Sequence, residues 1–183
     1  LGDRITAALA RRIDASRSGM IETYPGVTFP VDTASTVGSI GLSDRASGQD
    51  HHASIAKYSA AVRARFLVDG LLVQIAAPDG EAWDRARGSG TALAAYFLSF
   101  ADLDLSRELW KGARAKLYDE VLGFGAVREY APGATGAGDI DSGPIVLGFG
   151  VSASGFAMAP ARIHGDRAAY AGLFATVHLF GAP

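Results

Sequence analysis

Two aspartates, Asp32 and Asp141, are the residues of this chain best placed for acid/base chemistry. Each opens a run of small, nearly uncharged residues, DTASTVGSIG and DSGPIVLGFG. Carboxylates brought from two loops into one cleft divide their roles when burial raises the pKa of one and leaves the other low. Hydrolysis of a glycoside asks for such a pair about 5–10 Å apart. Tyr24, Glu129, Tyr130 and Asp139 lie in the same irregular stretches and are candidates to bind a substrate oxygen. Each residue also has a plainer use. An aspartate ahead of a helix caps it by accepting backbone N–H bonds, and a tyrosine with one polar tip is at home half-buried.

Other chemistries find less support. The chain has no cysteine, which removes disulfides, thiolate metal sites and a cysteine nucleophile together. In DIDSG, the spacing of Asp139, Asp141 and Gly143 matches part of a calcium loop, but position 150, where the closing glutamate belongs, is glycine. IVLGFGVSASG has the glycines of a dinucleotide loop at the wrong spacing and follows no βαβ unit; small residues letting buried helices approach account for it better. The four histidines show no H-E-x-x-H spacing, and no serine sits in G-x-S-x-G. No metal and no cofactor is expected.

The elements that must position these residues are mostly helices. A first helix over residues 3–17 puts Ile5, Ala8, Leu9 and Ile13 on one face. A second runs from an N-cap at Asp32 or Thr33 to about Ala46, with Gly48 ending it. A third, His52 to Leu67, is apolar along Ile55, Tyr58, Val62 and Phe66. Gly70 to Trp83 predicts one small β-hairpin around the Pro78-Asp79-Gly80 turn. Helices follow over Gly88–Phe100 and Ser106–Val121, the latter with Leu109, Trp110, Ala113 and Leu117 inward. A glycine-rich loop then leads to helices over Ile145–Ile163 and Asp166–Phe180, the last apolar through Tyr170, Leu173, Phe174 and Val177.

The helices starting near 32, 89 and 144 are rich in Gly, Ser and Ala, and nearly uncharged, as helices buried all round must be. The helices after them carry charge on one face. This alternation, repeating at about 55 residues, predicts stacked α/α hairpins with an inner and an outer layer. The expected fold is all-α, a partial (α/α) toroid arc of three and a half pairs, formed as a single domain over 1–183 that belongs to a closed ring only if further chain completes it.

The stretches TYPGVTFPVDTAST, RGSGTALAAYFL, VREYAPG and GDIDSGPIVLGFGVSASGFA carry a resemblance. Along nearly its whole length the chain resembles uncharacterised bacterial (α/α)-toroid proteins, themselves similar to the linalool dehydratase-isomerase-like and six-hairpin glycosidase-like domains. That resemblance implies a toroid with its site at the loops preceding the inner helices. The cysteines that likeness to the linalool enzyme implies have no counterpart here, and no catalytic residue is carried over from it.

Two function classes follow. One is a hydrolase or lyase using Asp32 and Asp141 on a carbohydrate or other hydroxylated small molecule. The other is a non-catalytic helical scaffold or binding domain of a larger envelope-associated protein, in which the same carboxylates only cap helices. A net charge of -2 with scattered arginines offers no face for nucleic acid. No apolar run approaches the roughly 20 residues that span a bilayer. The first residue is Leu rather than Met, which is compatible with an exported or membrane-anchored envelope protein that has been processed. Apolar inner helices at the ends of an open arc predict a homodimer or cover by flanking chain.

Overall fold

The computed structural model of the chain describes residues 2–138 and 142–180. It is mainly helical, with seven α-helices among the described residues: α1 (Gly2–Ala15), α2 (Pro30–Ser47), α3 (His52–Ala61), α4 (Gly88–Leu98), α5 (Leu103–Lys116), α6 (Val151–Ile163) and α7 (Arg167–Phe180). Three short antiparallel hairpins join them: β1–β2 (Leu67–Val68, Leu71–Leu72), β3–β4 (Tyr118–Val121, Phe124–Val127) and β5–β6 (Ile145–Val146, Phe149–Gly150).

Local sequence explains most helix ends. Pro30 supplies a pre-set φ at the first position of α2, and Gly48 closes it in the left-handed region at φ 73°. Asp102 caps α5 by accepting from the N–H groups of Asp104 and Leu105 at 3.1 and 2.9 Å, which starts that helix three residues before Ser106. Helix α3 widens into a π-helical turn over Val62–Phe66 before entering β1, and its face Ile55, Tyr58, Val62 and Phe66 is buried as predicted.

The hydrophobic interior has two clusters. One gathers Ile13, Val37, Ile40, Tyr58, Phe66, Leu98, Leu105 and Leu109 from α1 to α5. The other gathers Trp110, Ala113, Leu117, Val127, Ala157 and Leu173 from α5 to α7, the hairpin β3–β4 included. Helix α4 packs against α2, α5 and α6, and most of its residues are buried. Small residues make that possible. A Cβ on Gly38 or Gly41 of α2 would run into the carbonyl oxygens of Phe97 and Phe100 at the end of α4.

The sequence expectations differ from this fold in several further places. Ile13 is buried as predicted, but Ile5 and Ala8 are exposed, and α1 buries Thr6 and Ala10 instead, with the Thr6 hydroxyl bonded to that of Ser43 on α2 at 3.0 Å. There are three hairpins rather than one. The predicted hairpin over 70–83 keeps its turn, where Gly80 has φ 97°, and pairs through the isolated bridges Ala76–Ala82 and Val73–Ala86, while ladder pairing falls earlier, around Asp69-Gly70. The fifth and sixth helices also give up residues to strands: Tyr118–Val121 belongs to β3, and Ile145–Gly150 to β5–β6.

Both unforeseen hairpins use the same five residues, Val-Leu-Gly-Phe-Gly, at 121–125 and 146–150. Their central residues take positive φ, 53° and 81° for Leu122-Gly123, 53° and 87° for Leu147-Gly148. A two-residue hairpin turn needs this geometry, and asparagine or aspartate normally supplies its first position. Asp69 does so in β1–β2, at φ 54°. Leu122 and Leu147 are 93% and 89% exposed, so no packing compensates the strain of a branched side chain there. Leu122→Asn and Leu147→Asn should therefore each stabilise the chain by about 0.5–1 kcal/mol. Urea denaturation checks this; a lower midpoint would mean that the leucine tips hold a contact of their own.

Candidate functional site

The loop before α2 is folded back by Pro25-Gly26, with Gly26 at φ 78° and mutual backbone bonds between Tyr24 and Val27. This brings Tyr24 and Thr23 beside the first turn of α2. The Thr23 hydroxyl donates to Asp32 Oδ2 at 2.8 Å and accepts from the Phe29 N–H at 3.2 Å. Asp32 is therefore not the N-cap of α2: it stands in the first turn, where a negative charge is favoured by the helix dipole. Thr33 does not cap either, since its hydroxyl accepts from the Ile21 N–H at 3.1 Å.

Tyr24 and Asp32 line one cavity of about 360 Å³. Phe29 and Phe156 give it aromatic walls, and Leu93 adds an aliphatic one. Polar groups come from Gln74 and from Ser89 at the start of α4. Among the described residues that line it, Asp32 is the one carboxylate.

Glu129 is placed elsewhere. It is fully buried, and its carboxylate accepts from the Ser89 hydroxyl at 2.6 Å and from the Ser89 N–H at 3.2 Å. Its backbone oxygen takes the Gly88 N–H at 2.8 Å. Helix α4 thus has no capping side chain of its own and is capped by a residue 40 positions later. Gly150 leaves room for this carboxylate, since a Cβ there would come within 2.7 Å of Glu129 Oε2. Glu129 is not among the residues lining the cavity and is joined to it through Ser89. Tyr130 lies elsewhere too: it is buried, donates its hydroxyl proton to the Ala137 carbonyl at 2.9 Å, lies under the Arg87 guanidinium and borders a separate cavity with Arg128 and Ile145. Asp139 and Asp141 lie outside the described residues.

Glycines 148 and 150 form the β5–β6 hairpin, antiparallel and without a parallel strand, so the segment has no dinucleotide-binding geometry. No group of three or more His, Cys, Asp or Glu among the described residues could hold a metal. His164 meets the Ser106 hydroxyl at 2.8 Å, and burial, with Arg107 nearby, keeps its pKa below the usual histidine value. Ser106 spends its proton on the Ala95 carbonyl at 2.5 Å, which denies this pair a nucleophile.

Gln74 and Ser89 are the polar cavity residues that sequence reasoning missed. The signal for Gln74 is faint: one amide in the otherwise apolar run LLVQIAA. For Ser89 it is the small-residue stretch RGSG ahead of an uncharged helix. The chain matches no protein-family model and no curated protein.

Proposed function

We propose that the cavity between the starts of α2 and α4 binds a carbohydrate or other hydroxylated small molecule, and that Asp32 is its acid/base carboxylate. The observation that carries this reading is the shared lining: Asp32 and Tyr24 face the same open cleft as Gln74 and Ser89, against aromatic walls. Polar groups at one edge and rings along a wall suit a sugar, whose hydroxyls need hydrogen bonds and whose C–H face packs on an aromatic. Ser89 donates to Glu129, so its oxygen is free to act toward a ligand only as an acceptor. With the Asp32 carboxylate beside it, the site favours a ligand rich in donors.

As a base, Asp32 would take the proton of a bound hydroxyl or of water; as an acid, it would return one to a leaving oxygen. A hydrolase or lyase of this kind needs a second carboxylate, and in this reading that is Asp141, with Asp139 beside it as a binding residue. An (α/α) toroid arc is the architecture proposed with it. In support, the three helices built from small residues, α2, α4 and α6, are those whose segments line the cavity, through Asp32, Ser89 and Phe156.

The experiment is a screen of glycosides and polyols against the full chain, reading both binding and turnover, with Asp32→Asn and Asp141→Asn beside the wild type. Asp32 is exposed and holds only Thr23 by its side chain, so Asp32→Asn should fold normally. Losing the charge should weaken binding about tenfold and abolish turnover. Asp32→Asn with wild-type affinity and rate would sink the reading. One observation favours the non-catalytic alternative: Glu129, a candidate cleft carboxylate, is committed to the N-terminus of α4. Binding by the wild type without turnover would decide for a binding domain.

A further inference from the structure

We infer that Gln74 is the specificity-determining residue of this cavity, reading a ligand hydroxyl with its side-chain amide; the inference rests on the hydroxylated-ligand reading above. Gln74 is the polar residue of a buried segment, Leu71, Leu72, Val73, Gln74, Ala76 and Ala77, and is itself only 5% exposed. Its backbone is pinned, with the N–H bonded to the Arg85 carbonyl and bridges on either side at Val73–Ala86 and Ala76–Thr28. The side chain is therefore delivered to the cavity wall by a segment bridged on both sides. Its Oε1 is shut away from solvent and accepts no hydrogen bond among the described residues.

An amide in that position is costly. Burying one without a partner disfavours the fold, whereas an apolar side chain of the same length would fill the place at no such cost. The opposite wall is cut to suit the amide: a Cβ on Gly90 would come within 2.7 Å of Gln74 Oε1, so glycine at that position in α4 is what leaves the oxygen its space. Two neighbouring features, an unsatisfied amide and a glycine clearing it, sit in one cavity that also holds Asp32. A hydroxyl completes the arrangement. The end of the amide that a ligand can reach is Nε2, since Oε1 is closed off even to water; a hydroxyl accepts the Nε2 N–H, and if the terminal torsion is turned it donates to the oxygen presented instead. A ligand lacking that hydroxyl would leave the amide unpaired in the bound state, and sites of this kind discriminate strongly against such analogues.

The test uses the full chain and a panel of hexoses and cyclitols, each paired with its monodeoxy counterparts, with affinities from calorimetry and ligand-observed NMR. For the wild type, one hydroxyl of a binding member should matter by at least about tenfold over the matching deoxy compound. Gln74→Met should abolish that ratio, binding both compounds alike, and should melt at or above the wild-type temperature because it no longer buries an unpaired amide. Asp32→Asn should weaken every member while keeping the ratio. A Gln74→Met variant that keeps the wild-type ratio overturns the inference and leaves the proposed function standing. Unfolding of both Gln74→Met and Gln74→Leu also overturns it, since the amide would then be structural. Absence of binding by every panel member to the wild type removes the proposed function, and this inference with it.

Discussion

Glu129→Ala is expected to destabilise the chain by about 3–5 kcal/mol, the sum of a buried cavity and of buried polar groups left without a partner. The carboxylate is fully buried and holds two donors of Ser89, its hydroxyl and its N–H. Alanine removes both acceptors at the start of a helix whose own flanking residue, Arg87, provides no cap. Glu129→Gln keeps the size and one acceptor, so it should cost less, about 1–2 kcal/mol. Urea denaturation of the three proteins measures the series. A loss below about 1 kcal/mol for Glu129→Ala would show that α4 does not depend on this cap. The same variant should impair ligand binding, because Ser89 lines the cavity and would lose its anchor.

Gly38→Ala and Gly41→Ala should each destabilise by about 2 kcal/mol, against the sign that helix propensity alone predicts. In an open helix, alanine for glycine gains about 1 kcal/mol. Here the added Cβ would overlap the carbonyl oxygens of Phe97 and Phe100, which are backbone atoms and cannot turn aside. Overpacking of that kind costs about 1–3 kcal/mol or more and outweighs the gain. The two glycines are one helical turn apart and face one neighbour, so the double variant should cost less than the sum. The first methyl forces α2 and α4 apart and makes room for the second. Thermal melts decide the matter: a raised midpoint for either single variant would mean the helices are not in close contact.

The sequence disclosed the helical part of this fold best where apolar residues recur at helical spacing opposite charge. The buried faces of α3 and α5 were legible for that reason. In α1 the periodic pattern pointed at Ile5, but the contact with α2 is made through Thr6, a polar residue satisfied by Ser43. Such a partner is known only once the tertiary structure is. The hairpins β3–β4 and β5–β6 escaped because Leu-Gly lacks the asparagine or aspartate that marks such turns, and because short apolar runs have no period to separate strand from helix.

The candidate site divides along the same line. Tyr24 and Asp32 were legible from their place in a proline-glycine loop ahead of an uncharged helix, and they do share a cavity. Glu129 and Tyr130 stand in a similar context, yet Glu129 is bound to Ser89, 40 residues earlier, and Tyr130 bonds back to Ala137 in its own loop, partners that no motif reveals. Gln74 was hidden for the opposite reason. Its interest lies in having no partner for Oε1 among the described residues, a property of the folded surroundings rather than of any motif.

The division of the interior into two clusters bears on how the chain assembles as it is made. Every residue of the first cluster lies between Ala10 and Leu109, whereas the second is complete only when Leu173 has been added. Synthesis from the N-terminus therefore delivers the first cluster whole while the second is still lacking most of its helices. Helix α4 belongs to both, and it is the element that must wait. Its residues emerge with the first cluster, but the carboxylate that closes its first turn is added 40 residues after Ser89. Until then the nascent chain carries a packed helix with an open end, and the arrival of β4 with Glu129 seals it.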